Sequence, residues 1–233
     1  MGGPEPNEHD VPGRLTFRPP SRDRDGGQRG PLAGTDEPLG LDVGRDGILY
    51  VPDTVERGAT LLVYLHGAGG SARRELRLAL AAADEYGVIL AAPDSRGPTW
   101  DVIAGGLGPD VLFIDRMLES LAGRCDFDPG RLAIGGVSDG ASYALSLGLT
   151  NGDLFTSIVA FSPGFVATAA VVGRPRIFVS HGTNDQVLPI DACSRRFVPM
   201  LRNEGYEVEY AEFEGGHNVP PLIADRGFRW LVS

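Results

Sequence analysis

Apolar residues in this chain gather in short unbroken runs. Thr60-Leu61-Leu62-Val63-Tyr64-Leu65, Val88-Ile89-Leu90-Ala91-Ala92, Leu132-Ala133-Ile134-Gly135, Ser157-Ile158-Val159-Ala160-Phe161 and Ile177-Phe178-Val179-Ser180 each stop at glycine, proline or a polar turn. Ile48 to Val51 and Val208 to Phe213 extend the series. Runs that are apolar on both faces predict strands covered on both sides, as in parallel sheets. Between them the spacing turns helical. Ala72 to Glu85 carries Leu76, Leu78, Leu80 and Ala83 with charges opposite, and Pro109 to Ala122 carries Val111, Ile114, Leu118 and Leu121. Pro109 suits a first helical turn. Further helices are predicted over Ala141–Leu149, Ile190–Asn203 and Leu222–Leu231. Alternating strands and helices predict an α/β fold, a mostly parallel sheet with helices on both faces. Such sheets hold ligands at the carboxyl ends of their strands, which makes the strand-to-helix turns the places to look for chemistry.

The pattern fails at the N-terminus. Residues 1–40 are rich in Gly, Pro, Asp and Arg, a low-complexity composition that buries too little surface to offset the entropy of ordering. Only Arg14-Leu15-Thr16-Phe17-Arg18 alternates, which predicts an edge strand over 14–18. The rest of 1–40 reads as a mobile linker or one laid over the domain, and 41–233 reads as one folded domain.

Charge and composition narrow the function. The net charge is −10, so a phosphate backbone is repelled and nucleic acid is excluded as a partner. All 21 basic residues are arginine. That removes lysine Schiff bases, Ser–Lys dyads and phosphate-loop lysines. Cys125 and Cys193 lie in no metal-ligand spacing and the four histidines are scattered, so no metal and no cofactor is implied. Two unpaired thiols in a reducing compartment are favoured over a single disulfide between Cys125 and Cys193, and sequence alone leaves both open. Met1 to Asp10 has no apolar core of a secretory leader, and no run reaches the ~18 apolar residues of a membrane span. The expectation is a soluble, cytoplasmic protein acting on a small molecule; nothing in the sequence fixes its oligomeric state.

Four strand-end motifs carry candidate chemistry. Gly136-Val137-Ser138-Asp139-Gly140 follows a strand and opens a small-residue helix. A sharp turn there would expose Ser138 at the positive end of the helix, with glycine two positions either side avoiding collision. Leu65-His66-Gly67-Ala68-Gly69-Gly70 follows another strand and can turn backbone N–H groups towards an anion. The expected donors are the N–H groups of Ala68 and Asp139. A serine nucleophile needs a base, and His217, in Glu214-Gly215-Gly216-His217-Asn218, is favoured over His9, His66 and His181 by position. Asp185, in the turn after Ile177–Val179, is the favoured acid over Asp191, Glu212 and Glu214. Trp100, in the loop after Ala92, is a candidate pocket wall or a buried anchor.

With these motifs in the order Ser138, Asp185, His217, residues 45–233 resemble the α/β-hydrolases. The resemblance is to compact esterases of the phospholipase/carboxylesterase group and to polyhydroxybutyrate-depolymerase-like esterases. It rests on His66 to Gly70, Gly136 to Gly140, His181 to Pro189 and Gly215 to His217. It implies a serine esterase with Ser138, His217 and Asp185 as its triad, an acyl-enzyme intermediate and a small-molecule ester substrate. Secreted polymer depolymerases carry a leader and a polymer-binding domain that are not read here. Ser162 to Pro175 is too short for a cap domain, which favours short to medium acyl chains. Thioester, lactone or peptide hydrolysis would use the same groups, and a silent binding protein on this fold is the competing class.

Overall fold

A computed structural model describes residues 11–19, 34–168 and 170–233. Strands β1 (Thr35–Pro38), β2 (Gly47–Val51), β3 (Ala59–Leu65), β4 (Ile89–Pro93), β5 (Phe127–Val137), β6 (Ser157–Phe161), β7 (Arg176–Gly182) and β8 (Val208–Phe213) form one sheet. Its order is β1-β2-β4-β3-β5-β6-β7-β8. β2 runs antiparallel to both neighbours, and every pair from β4 to β8 is parallel. The helices are α1 (Ala72–Tyr86), α2 (Pro109–Arg124), α3 (Asp139–Thr150), α4 (Ser194–Asn203) and α5 (Pro221–Val232).

The central strands are apolar throughout because both faces are covered. In β3, Leu61, Val63 and Leu65 join the core shared with α2, α3 and α4, while Leu62 and Tyr64 join the core shared with α1 and α5. β6 divides likewise, with Ile158 and Ala160 on one side and Val159 and Phe161 on the other. Each buried aliphatic side chain contributes about 1.5–3 kcal/mol relative to exposure. That drive fixes the sheet and brings the ends of β3, β5, β7 and β8 to one edge.

Several expectations are corrected. Residues 14–18 are not a strand: Leu15 and Phe17 are buried in the core, but the backbone N–H groups go to side chains. Leu15 N–H donates to Asn151 Oδ1 (2.9 Å), and Thr16 and Phe17 N–H donate to Asp115 Oδ1 (2.9 and 2.7 Å). Arg14 adds a bidentate pair to Asp153 (2.7 and 2.9 Å). The alternation of this segment comes from docking across α2 and the end of α3. The edge strand is instead β1, so the sheet begins at Thr35, ahead of residue 41. α4 starts at Ser194, since Pro189 to Cys193 forms hydrogen-bonded turns in place of the first predicted turn. The readings of residues 1–10 and 20–33 fall outside the described residues.

The connection from β6 to β7 lies flat along α3. Gly164 N–H donates to Ser142 Oγ (2.8 Å), Ala167 N–H to Ser146 Oγ (2.9 Å) and Val172 N–H to Leu149 O (3.0 Å). No cap domain is inserted there among the described residues, and no described helix is long and apolar enough to cross a membrane.

Asp115 satisfies two backbone N–H groups and the Thr16 hydroxyl. Asp115→Ala should therefore cost about 2 kcal/mol by orphaning buried donors. Urea denaturation is expected to show a lower midpoint with turnover per folded molecule unchanged; an unchanged midpoint would mean that the docked segment adds nothing to stability.

Candidate active site

The turn from β5 into α3 places Ser138 at φ 58, one of two described non-glycine residues with positive φ. The position is held by its N–H to Phe161 O (2.9 Å) and by Ser142 N–H to its carbonyl (3.0 Å). Glycine on either side is a steric requirement. A Cβ on Gly136 would meet Leu65 O at 2.4 Å, and one on Gly140 would meet Leu65 O at 2.3 Å and His66 O at 2.6 Å. The end of β3 thus passes directly against this turn. Such positive φ at a serine costs on the order of 1–3 kcal/mol, which the packed surroundings offset.

Three side chains predicted from sequence come together here. His217 Nε2 lies 2.9 Å from Ser138 Oγ, and His217 Nδ1 lies 2.6 Å from Asp185 Oδ2. An ionised carboxylate only accepts, so Nδ1 carries the proton and Nε2 presents its lone pair to the serine hydroxyl. The two loops that carry these groups are stitched together. Asn184 N–H donates to Gly215 O (2.9 Å), Thr183 N–H donates to Phe213 O (2.9 Å), and a Cβ on Gly182 would collide with Gly216 O at 2.3 Å. The Asp185 side chain is fully covered, whereas that of His217 is one-fifth exposed. The charge is sealed below and the serine end is open.

Asp185 is held on every side. Its Oδ1 accepts from Val187 N–H (2.9 Å) and Leu188 N–H (2.8 Å). Burial pushes its pKa up, but the donors from Leu188 and His217 outweigh that and keep it below the usual carboxylate value. A second imidazole, His181, also meets it, with Nε2 at 3.3 Å from Oδ2. His181 is wholly buried; its Nε2–H donates to Leu188 O (2.8 Å) and its Nδ1 accepts from the Ser194 hydroxyl (2.6 Å). Burial lowers its pKa against the opposing influence of Leu188 O and Asp185, so it stays neutral. Sequence reasoning dismissed His181 as a base, which its geometry supports, but missed its role in holding the Asp185 turn. The signal was its place four residues before Asp185.

The loop after β3 runs over the serine, and a Cβ on Gly67 would lie 3.4 Å from Ser138 Cβ. Gly69 N–H donates to Pro98 O (2.9 Å) and Gly70 N–H to Gly67 O (3.0 Å). Just ahead of Gly69, Ala68 N–H has no acceptor among the described residues, nor has Asp139 N–H at the start of α3. His66 is buried under this loop, with Nδ1–H donating to Gly67 O (2.7 Å) and Nε2 accepting from Ser95 N–H (3.0 Å). Burial depresses its pKa as well.

Trp100 is not a pocket wall. It is 1% exposed, and its indole N–H donates to His66 O (2.8 Å) beneath the loop. Among the described residues, no three His, Cys, Asp or Glu side chains converge as metal ligands.

Comparison with known proteins places this geometry in context. A model of the phospholipase/carboxylesterase family matches residues 113–222, a span that contains Ser138, Asp185 and His217 but not the loop after β3. A probable feruloyl esterase C from Aspergillus terreus is 23% identical, covering 77% of this chain and 78% of its own. Esterase PE8 superposes with a TM-score of 0.66 at 23% identity, over 81% of this chain and 98% of that one. The apoenzyme of S-formylglutathione hydrolase from Staphylococcus aureus gives 0.67 at 16% identity, over 87% and 99%. The fold is that of the α/β-hydrolases, without a cap domain among the described residues.

The two buried imidazoles make acid stability a test of this site. An unfolded histidine titrates near pH 6.5, whereas His66 and His181 have lower folded values. The unfolded chain therefore takes up protons that the folded protein refuses. Stability is present above about pH 6.5 and shrinks as pH falls towards the folded values, by up to about 1.4 kcal/mol per pH unit for each group. His181→Gln removes one of these titrations. Urea midpoints between pH 7 and 5 should fall less steeply in this variant, and equal slopes would contradict a neutral buried His181.

Proposed function

We propose that this chain is a serine hydrolase that cleaves carboxylic esters of short to medium acyl chains through an acyl-enzyme. The observation that carries the reading is the hydrogen-bonded line Ser138–His217–Asp185 at the open edge of the sheet. Ser138 Oγ attacks the ester carbonyl while His217 Nε2 takes its proton. Asp185 fixes the imidazole tautomer and stabilises the imidazolium that forms. The tetrahedral oxyanion accepts from the Ala68 and Asp139 N–H groups, the latter at the positive end of α3. His217 then returns the proton to the departing alcohol oxygen, and water repeats the sequence on the acyl-enzyme. Release of the acid restores Ser138.

The similarity to a family described as phospholipase/carboxylesterase, and to proteins named as esterases, supports an ester as the substrate. Thioesters, lactones and peptides would use the same groups, and a substrate panel separates them. Chain length follows from the loop between β6 and β7. Its described residues are tied down along α3, which favours an open cleft in which the outer methylenes of a long acyl chain stay in water. Each forfeits about 0.8 kcal/mol of burial. The buried free thiols Cys125 and Cys193 support a reducing, cytoplasmic setting.

Ser138→Ala and His217→Ala should each lower ester kcat by several orders of magnitude while the urea midpoint stays within the range of ordinary surface changes. Near-wild-type turnover in either would refute the assignment. On chromogenic esters of one alcohol, kcat/KM should be higher for acetate and butyrate than for palmitate. A steady rise towards palmitate would reveal a long acyl pocket.

A further inference from the structure

The residue expected to line a pocket has a more specific place in the fold. Trp100 touches both elements that carry the proposed oxyanion donors. Its ring lies tilted against the His66 ring (centroids 4.9 Å apart, 38° between planes) and stacks on Tyr143 of α3 (5.2 Å, 14° between planes). His66 opens the loop that carries Ala68. Tyr143 lies on the helix whose first N–H is that of Asp139.

The neighbours of Trp100 repeat this bridging. Pro98 O accepts from Gly69 N–H (2.9 Å), next to Ala68, and Thr99 Oγ1 donates to Asp139 Oδ2 (2.7 Å). Pro98, Thr99 and Trp100 therefore touch both donor-bearing elements. The effect on Ala68 follows from peptide planarity. The carbonyl of Gly67 and the N–H of Ala68 belong to one plane and point in opposite directions. Gly67 O accepts from His66 Nδ1–H and from Gly70 N–H, which fixes that plane. His66 can do so only while its own backbone and ring are held. The Trp100 indole N–H on His66 O, the ring contact and the Ser95 N–H on Nε2 hold them.

We propose that Trp100 is a positioning residue that sets the separation of the Ala68 and Asp139 N–H groups, acting through His66 and Tyr143. The proposal rests on the serine hydrolase reading above. A phenylalanine at this position keeps an aromatic ring in the stack but cannot donate to His66 O. The loop then loses a restraint that matters only when charge develops on the oxyanion, so the transition state suffers more than the bound ester.

The test compares Trp100→Phe, Thr99→Val and Tyr143→Phe with wild type in ester kinetics and in inhibition by an aryl trifluoromethyl ketone. Ser138 Oγ adds to the ketone's carbonyl carbon, its proton passing to His217, and gives a tetrahedral oxyanion. For Trp100→Phe, kcat should fall at least about tenfold with KM within twofold, and affinity for the ketone should fall by a matching factor. The pH profile should keep its shape, because His217 and Asp185 are untouched. Thr99→Val, a half-buried change that spares the core, should show a smaller loss of the same kind and serves if Trp100→Phe does not fold. Tyr143→Phe keeps the stack and should leave both quantities unchanged. Unaltered kcat and ketone affinity in Trp100→Phe, or in Thr99→Val where that variant stands in, would overturn the proposal. So would a loss in Tyr143→Phe equal to that in Trp100→Phe. Wild type that ignores the ketone, or Ser138→Ala that retains turnover, would instead overturn the hydrolase reading on which the proposal stands.

Discussion

The end of β3 and the turn from β5 into α3 approach so closely that only glycine fits between them. Leu65 O and His66 O fill the space that side chains at positions 136 and 140 would need. Because β3 and β5 pair in parallel from Leu61/Leu132 to Leu65/Gly136, their carboxyl ends arrive together. Ser138 can then turn out of the sheet only through positive φ, and the loop after β3 has nowhere to go but across it. The nucleophile and one proposed oxyanion donor are therefore brought together by strand register, before any side chain is chosen.

The other side of the site is governed by charge. Asp185 is buried, and a buried carboxylate persists only when its oxygens are occupied. Two backbone N–H groups, His217 and the more distant His181 supply that occupancy. These donors come from the end of β7 and from the loops after β7 and β8, which are themselves sewn together. The charge thus specifies the conformation of the loops as much as the loops position the charge. His217, one-fifth exposed, is the point at which this sealed arrangement meets solvent.

The central strands were legible from sequence because burial on both faces leaves them almost no polar positions. Ser138 and Asp185 were legible because each follows such a strand, and His217 because its glycine-flanked loop follows the last apolar run, the edge strand β8. β1 was not, since Thr35-Asp36-Glu37-Pro38 alternates half-buried and exposed residues on a single outer edge. Residues 14–18 carried a real signal with the wrong cause: Leu15 and Phe17 do enter the core, but side chains of Asp115 and Asn151, a hundred or so residues away, take the place of a strand partner. Trp100 stood in a loop expected to border the site, and sequence cannot tell the near face of such a loop from its underside. The long-range pairs that decide such cases leave no local pattern.

The claim that Ser138 is a nucleophile activated by His217 is tested most directly by intact-mass analysis after exposure to a fluorophosphonate. The reagent phosphonylates an activated serine and spares ordinary hydroxyls. The account predicts one adduct per chain, located by fragmentation on Ser138, with ester turnover lost in proportion to labelling and no adduct in Ser138→Ala or His217→Ala. Label on a different residue, or full ester turnover by protein labelled on Ser138, would contradict it.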